Sequence, residues 1–248
     1  MSRATEEVVG RILLAILGVF VLMFSFVVLA GMTAARNAKQ KARSAALVEE
    51  ARDLGLSFDA SQRDFLARKY RFLDQFSVAS RVSKDCCINV MTGEFEGHAV
   101  TLFDYYYVTK EGSVWWWAPS WERHCYFSFI IINMESNFPE LTIAKEGFLS
   151  KIAQAVGYRD IDFESHAFSR RYVVRSSDKK FAYDFCNAKM IDYLLDQPIL
   201  NIELQKHALA LVFDDQHELG RTRSHLRRVS KMRSLMPNYL FDPQPSEA

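Results

Sequence analysis

The chain has 248 residues, 49% hydrophobic and 25% charged, with 31 basic against 30 acidic side chains. That balance excludes a disordered chain, a collagen and a small disulfide scaffold, and a net charge of +1 gives no global attraction to nucleic acid. The average conceals Ile12–Ala35, a stretch with no charge at all.

As a helix those 24 residues rise about 36 Å, enough to cross a hydrocarbon core of about 30 Å with some tilt. A cleaved signal peptide has an apolar core of about 7–15 residues, shorter than this one. Arg36, Lys39, Lys41 and Arg43 follow the span with no acid before Glu49, whereas Arg3 and Arg11 on the other side are offset by Glu6 and Glu7. Cations next to a span stay in the cytoplasm. The expected layout is single-pass, with a short extracytoplasmic N-terminus over 1–11, a transmembrane helix over 12–35 and a cytoplasmic remainder. Cys86, Cys87, Cys125 and Cys186 have no C-x-x-C spacing, and no N-x-[ST] sequon occurs, which suits a reducing compartment.

Residues 36–53 are Ala-rich, charged and free of Gly and Pro, so a juxtamembrane helix is expected there, ended by Gly55. A soluble α+β domain is expected over 54–240. Asp59 or Ser61 can cap a helix through Phe65, Leu66, Tyr70 and Leu73. The period then changes to two: Ile88–Thr92 reads as a strand, 93–97 as a turn and His98–Val108 as the returning strand. His124–Met134 reads as a strand with Cys125, Phe127, Phe129 and Ile131 on one face, followed by a short strand at Leu141–Ala144. Lys145–Val156 is expected to be helical, and Arg171–Arg175 a strand. Asp178 should cap one helix striped by Phe181, Phe185, Ala188, Ile191 and Leu195 and closed by Pro198. Ile199–Leu204 and Ala208–Phe213 read as a hairpin, Gln216–Met236 as a last helix, and 241–248 as a loose tail. Hairpin-paired strands followed by interleaved helices predict a mostly antiparallel sheet with two or three packed helices.

Five short motifs occur in order: Asn89-Val90-Met91-Thr92-Gly93, Phe103-Asp104-Tyr105-Tyr106-Tyr107, Phe138-Pro139-Glu140-Leu141, Ile161-Asp162-Phe163-Glu164 and Phe168-Ser169-Arg170-Arg171-Tyr172. In this the chain resembles a group of uncharacterised bacterial domains, often tethered by a membrane segment, over about residues 54–215. The resemblance implies a shared fold and a bacterial source, which makes the membrane crossed by 12–35 the bacterial inner membrane, and it leaves function open.

Catalytic and metal patterns are not apparent. The histidines at 98, 124, 166, 207, 217 and 225 are not in H-E-x-x-H spacing, and no G-x-S-x-G elbow or phosphate-binding glycine loop occurs. No catalytic residue, cofactor or metal is therefore expected. Asp160, Asp162 and Glu164, close to His166, are the one place where an unread enzyme site would fit.

Two features suit contact instead. Tyr105, Tyr106, Tyr107, Trp115, Trp116, Trp117 and Trp121 place seven large rings within 17 residues. A sheet covered on both faces, a protein contact or the lipid headgroup region would each account for them. In the last helix Arg221, Arg223, Arg227, Arg228, Lys231 and Arg233 lie within 13 residues that contain no acid. Leu219, Leu226, Val229, Met232 and Met236 gather on the opposite side, with Arg233 the one cation out of place. A docked helix with a solvated basic face, an anionic-lipid contact and an RNA contact are the three readings, the last without any aromatic stacking signature. An upright helix over 36–53 would hold the domain about 27 Å from the bilayer, beyond a screening length of about 8 Å, which favours protein partners. The expected function is a non-enzymatic, single-span membrane protein. Its domain would be an accessory or scaffold subunit of a membrane protein complex, or a ligand-responsive contact module. Contact would run through Trp115, Trp116, Trp117, Trp121, Arg221, Arg227, Arg228 and Lys231. The bilayer is met through 12–35, and nucleic acid is not an expected partner. A tethered enzyme at Asp160–His166 and a peripheral lipid-binding domain are the alternatives.

Overall fold

The computed structural model describes residues 3–61, 64–73, 84–111, 121–149 and 160–241. The chain divides into two compact units, 1–46 and 47–248. A single helix, α1 (Arg3–Leu54), supplies nearly all of the first unit and the opening of the second. Among the described residues it is the one helix long and apolar enough to cross a membrane. Its large apolar side chains from Ile12 to Met32 are exposed; Phe20 and Phe26 are about 70% open (69% and 73%). Soluble helices bury such a surface, so this one needs an apolar surrounding of another kind.

Gly55 ends α1 as the sequence predicts. It sits at φ 70, its N–H reaches the Arg52 carbonyl (3.1 Å), and the Leu56 N–H reaches the Ala51 carbonyl (2.8 Å). That pair of bonds is a Schellman ending, and both Leu56 and Ala51 join the core.

The second unit is α+β. Its strands are β1 (Ser57–Asp59), β2 (Lys84–Phe95), β3 (His98–Glu111), β4 (Trp121–Ala144), β5 (Val173–Ser176) and β6 (Asn201–Phe213). Its helices are α2 (Asp64–Lys69), α3 (Glu146–Leu149), α4 (His166–Arg171), α5 (Lys179–Phe185), α6 (Ala188–Asp196) and α7 (Thr222–Leu235). The sheet runs β1-β2-β3-β4-β5 with β6 on the other side of β4, and every pairing is antiparallel. Glu96 (φ 50) and Gly97 (φ 81) form the two-residue turn between β2 and β3, the left-handed pair that matches strand twist.

Both faces of this sheet are covered, because strand side chains alternate and each set finds its own helices. One set, including Leu102, Ile130, Ile132, Leu209 and Leu211, packs with Phe181, Phe185, Met190, Leu194, Leu226, Val229 and Met232 of α5–α7 and with Leu47 and Ala51. The other set, including Phe103, Tyr105, Phe129, Ile131 and Ala210, packs with Leu66, Tyr70, Leu73 and Phe148. Cys125, Phe127, Phe129 and Ile131 share that second face, as their alternation predicts. Tyr105 and Tyr107 are buried there too, so two-sided cover explains these two rings. Tyr106 points the other way, half-buried, with its hydroxyl 2.5 Å from His124 Nδ1.

Several local expectations are corrected. The expected strands at 124–134 and 141–144 are one strand, β4, whose pairing with β6 shifts register on either side of Phe138. The expected hairpin over 199–213 is likewise one strand: Lys206 adopts φ 51 opposite Phe138, a bulge that bends β6 without reversing it. The helix capped by Asp178 breaks at Asn187. Asp178 does accept from the Phe181 N–H (3.0 Å), but Asn187 then caps a new helix through the Met190 N–H (3.2 Å). Residues 57–59 pair with β2 as a strand, and Asp59 accepts from the Ser61 N–H in a turn before α2. The helix expected through Leu73 ends at Lys69, and its Phe65 is 54% exposed. Ser165 caps α4, which occupies the start of the stretch expected to be a strand at 171–175. The last helix begins at Thr222, leaving Leu219 in a turn and 41% exposed.

Candidate functional site: a basic groove between α6 and α7

Helix α7 forms because one side of it is apolar. Leu226, Val229 and Met232 are fully buried and Met236 nearly so, at the three-and-four spacing of a core-facing stripe. Arg223, Arg227 and Lys231 are therefore carried outward in a column four residues apart, with Arg228 beside them. Arg233 falls toward the core side. It pairs with Glu135 (3.2 Å) and lies 3.7 Å from the centroid of the Phe241 ring, which removes it from the basic face. The main-chain hydrogen bond within Glu135 and the Arg233 guanidinium hold the Glu135 carboxyl below its ordinary range.

Between this outer face and the end of α6 lies an open groove of about 550 Å³. Tyr193, Gln197, Gly220, Arg223, Ser224, Arg227, Arg228 and Lys231 line it. Of the expected contact residues, the structure brings Arg227, Arg228 and Lys231 together here. Arg221 stands outside, at the N-cap of α7, 3.5 Å from Glu218. Trp115, Trp116 and Trp117 lie outside the described residues, and Trp121 is described only as the first residue of β4. Sequence reasoning missed Tyr193, Gln197 and Ser224, because the approach of α6 to α7 is a tertiary fact. Asn187 makes that approach firm: its amide donates to the Leu235 carbonyl (3.1 Å) while its carbonyl oxygen caps α6.

The groove lining contains no carboxylate. Three acids stand at its edges: Glu50 accepts from the Gly220 N–H (2.6 Å), Glu96 lies 4.0 Å from Arg227, and Glu218 pairs with Arg221 outside the lining. The Arg223 guanidinium donates to the Asp53 carbonyl (2.8 Å) and that of Arg228 to His225 Nδ1 (3.3 Å). Burial, with Arg228, His217 and Arg221 adding repulsion, pushes the His225 imidazole down to about 4, so at neutral pH it accepts from Arg228 uncharged. Burial pushes the Tyr193 phenol up, partly offset by Arg228, so it stays a hydroxyl donor.

A second polar constellation is internal. Asp104, 1% exposed, accepts from Asn89 Nδ2 (2.9 Å), Ser128 Oγ (2.5 Å) and Gln216 Nε2 (3.3 Å), with His217 Nδ1 at 4.0 Å. The His217 N–H donates to Ser128 Oγ (2.9 Å), and its Nε2 meets the Thr222 hydroxyl (3.2 Å). Asn89 reaches Asp104 because it sits at φ 54 in the β2 bulge, a conformation Asn tolerates. These bonds fasten the 216–222 segment, and with it the start of α7, to the sheet. The serine hydroxyl donates to the carboxylate and is enclosed, so Asp104, Ser128 and His217 together act as a brace.

No family model matches the chain, and no curated protein does. Among solved structures it is similar to the crystal structure of the mycobacterial trehalose monomycolate transport factor A, TtfA. The likeness is one of fold. It has a TM-score of 0.55 at 13% identity, over 78% of this chain and 96% of that one.

At the stretch expected to hold an alternative enzyme site, Asp160 pairs with Arg175 (2.8 Å), the Asp162 carbonyl accepts from the Tyr183 hydroxyl (3.1 Å), and Glu164 and His166, the latter opening α4, are exposed. Among the described residues no three His, Cys, Asp or Glu side chains converge as metal ligands.

Proposed function

We propose that this chain is a single-span protein of a bacterial inner membrane whose folded domain lies in the cytoplasm and works by contact, not catalysis, as an accessory subunit of a membrane protein complex. One observation carries the reading: a cationic groove lined by no carboxylate, on a domain joined to an exposed apolar helix of transmembrane length. The cations at Arg36, Lys39, Lys41 and Arg43 support the orientation. The fold shared with a protein described as a transport factor supports a membrane-anchored accessory role. The motif resemblance to tethered bacterial domains supports the source.

Two measurements test it. A membrane-impermeant thiol reagent applied to intact cells should not label Lys189→Cys, an exposed position on α6, until the membrane is opened. Labelling from outside rejects the orientation. Purification of the full chain in mild detergent should retain a membrane protein that is lost on reversing Arg227, Arg228 and Lys231 to Glu. A partner indifferent to that reversal, or none at all, rejects the contact face.

A further inference from the structure

The groove between α6 and α7 has the chemistry of a ligand site as well as of a surface. Its four cations come from one helix face at spacings that put neighbouring Cβ atoms about 5–6 Å apart. Like charges held that close repel one another, and ordinarily interleaved acids relieve them. Here none of the eight lining residues is an acid. Among the described residues neither Arg228 nor Lys231 pairs with a carboxylate; Arg227 has Glu96 at 4.0 Å, and Arg223 and Arg228 give only part of their donor sets to Asp53 and His225. A guanidinium keeps five donors, so most of the fork of Arg223 and Arg228 remains for a ligand.

Neutral donors stand among the cations. Tyr193, Ser224 and Gln197 place two hydroxyls and an amide on the same walls. A bare inorganic anion accepts from the same cations and neutral donors, but it leaves most of the groove unfilled. A volume of about 550 Å³ falls within the usual range for small-ligand pockets, about 300–1,000 Å³, and leaves room for more than one such ion. Charge plus hydroxyl-directed donors suits a phosphate carried on a polyol, with guanidinium forks on the phosphate oxygens and the neutral groups on the hydroxyls.

We infer that the α6–α7 groove binds a phosphate group borne on a small polyol, either as a free metabolite or as the headgroup of an anionic phospholipid. The site stands on its own geometry. Its consequence, that the ligand competes with a protein partner for the cations of α7 and so makes contact ligand-responsive, rests on the contact-subunit reading.

The test uses the full chain in dodecyl maltoside micelles at fixed ionic strength. Glycerol 3-phosphate is titrated against the protein by calorimetry and by thermal shift, with sodium chloride as the ionic-strength control. A parallel arm dopes the micelles with phosphatidylglycerol or, as control, phosphatidylcholine. Saturable binding of glycerol 3-phosphate supports a free phosphate ligand. Binding of phosphatidylglycerol alone supports the lipid headgroup. In either arm the Arg228→Gln/Lys231→Gln variant should weaken binding at least tenfold, and Arg170→Gln, an exposed cation on α4, should leave it unchanged. Both variants are at solvent-reached positions, and an unchanged melting temperature without ligand confirms their fold. Absence of saturable binding in both arms overturns the inference, as does binding that ignores the groove variant. So does an acidic polyglutamate peptide that binds the groove where neither phosphate does. Phosphate failure with a retained partner counts against this inference alone, and partner loss with phosphate binding intact counts against the contact reading alone.

Discussion

Replacing Asp104 by Ala is the sharpest probe of how α7 is attached to the sheet. The side chain is 1% exposed and accepts from Asn89, Ser128 and Gln216. Truncation strands those donors at a cost of about 1–3 kcal/mol for each one left buried. Gln216 is half-buried and can turn to water, whereas Ser128 and Asn89 are enclosed and cannot. Two stranded donors and a small cavity add to about 4 kcal/mol, a large share of a domain stability of about 5–15 kcal/mol. Asp104→Asn keeps one acceptor oxygen and the shape, so it should cost about half as much. Urea unfolding of the detergent-held protein, followed by near-ultraviolet circular dichroism, gives both values. Hydrogen exchange should also show α7 losing protection before the β3–β4 ladder does, because the lost bonds are those holding 216–222. A cost below about 1 kcal/mol for Asp104→Ala, or equal costs for Ala and Asn, would refute the brace.

Two further outcomes follow from the same elements. His225 is held near 4 when folded and returns to about 6.5 when unfolded, so the unfolded chain takes up the proton first. Stability should therefore fall as pH drops from about 6.5 toward 4, by about 2 kcal/mol after allowance for solvent screening, and His225→Gln should flatten that limb of a pH–stability curve. Asn187→Ala removes the cap of α6 and its bond to the Leu235 carbonyl. It should cost about 1–2 kcal/mol in urea and loosen the groove, seen as faster exchange of the Met190 amide.

The elements legible in the sequence were those fixed by local pattern. The uncharged run at 12–35, the Gly55 ending, the alternation of Phe127, Phe129 and Ile131, and the stripe of Leu226, Val229 and Met232 each follow from a period or a cap. What the sequence hid is set by partners distant in the chain. β6 carries no turn signal strong enough to decide between bend and reversal; β4, whose own register slips at Phe138, holds it as one bent strand through Lys206. Asn187 divides a helix whose apolar stripe runs on unbroken, because a cap and a mid-helix Asn look alike without the Met190 N–H in view. In the groove, the cations were visible as a charge run. Tyr193 and Gln197 were not, since α6 meets α7 only in the folded domain. Asp104 lay inside an aromatic strand pattern as one polar residue among tyrosines. Only the fold shows that it faces the 216–222 segment.

The two sides of α7 make folding and contact separable. Leu226, Val229 and Met232 bury their whole surface, while Arg227 and Lys231 on the opposite side are exposed. Large-to-small changes on the first side cost about 2–5 kcal/mol each, and changes on the second stay within about 0.5 kcal/mol. A loss of partner or ligand on altering Arg227 or Lys231 is therefore a loss of recognition, not of the helix that carries it. Arg228 lies between these cases, since its guanidinium also donates to the neutral His225 imidazole. Arg233 belongs with the core: its charge is spent on Glu135 and its plane on Phe241, so neutralising it should lower stability and leave recognition intact. That division explains how a chain of net charge +1 presents a strongly cationic surface. The compensating acids are spread over the rest of the sequence, and helical periodicity gathers the cations where the apolar stripe is not.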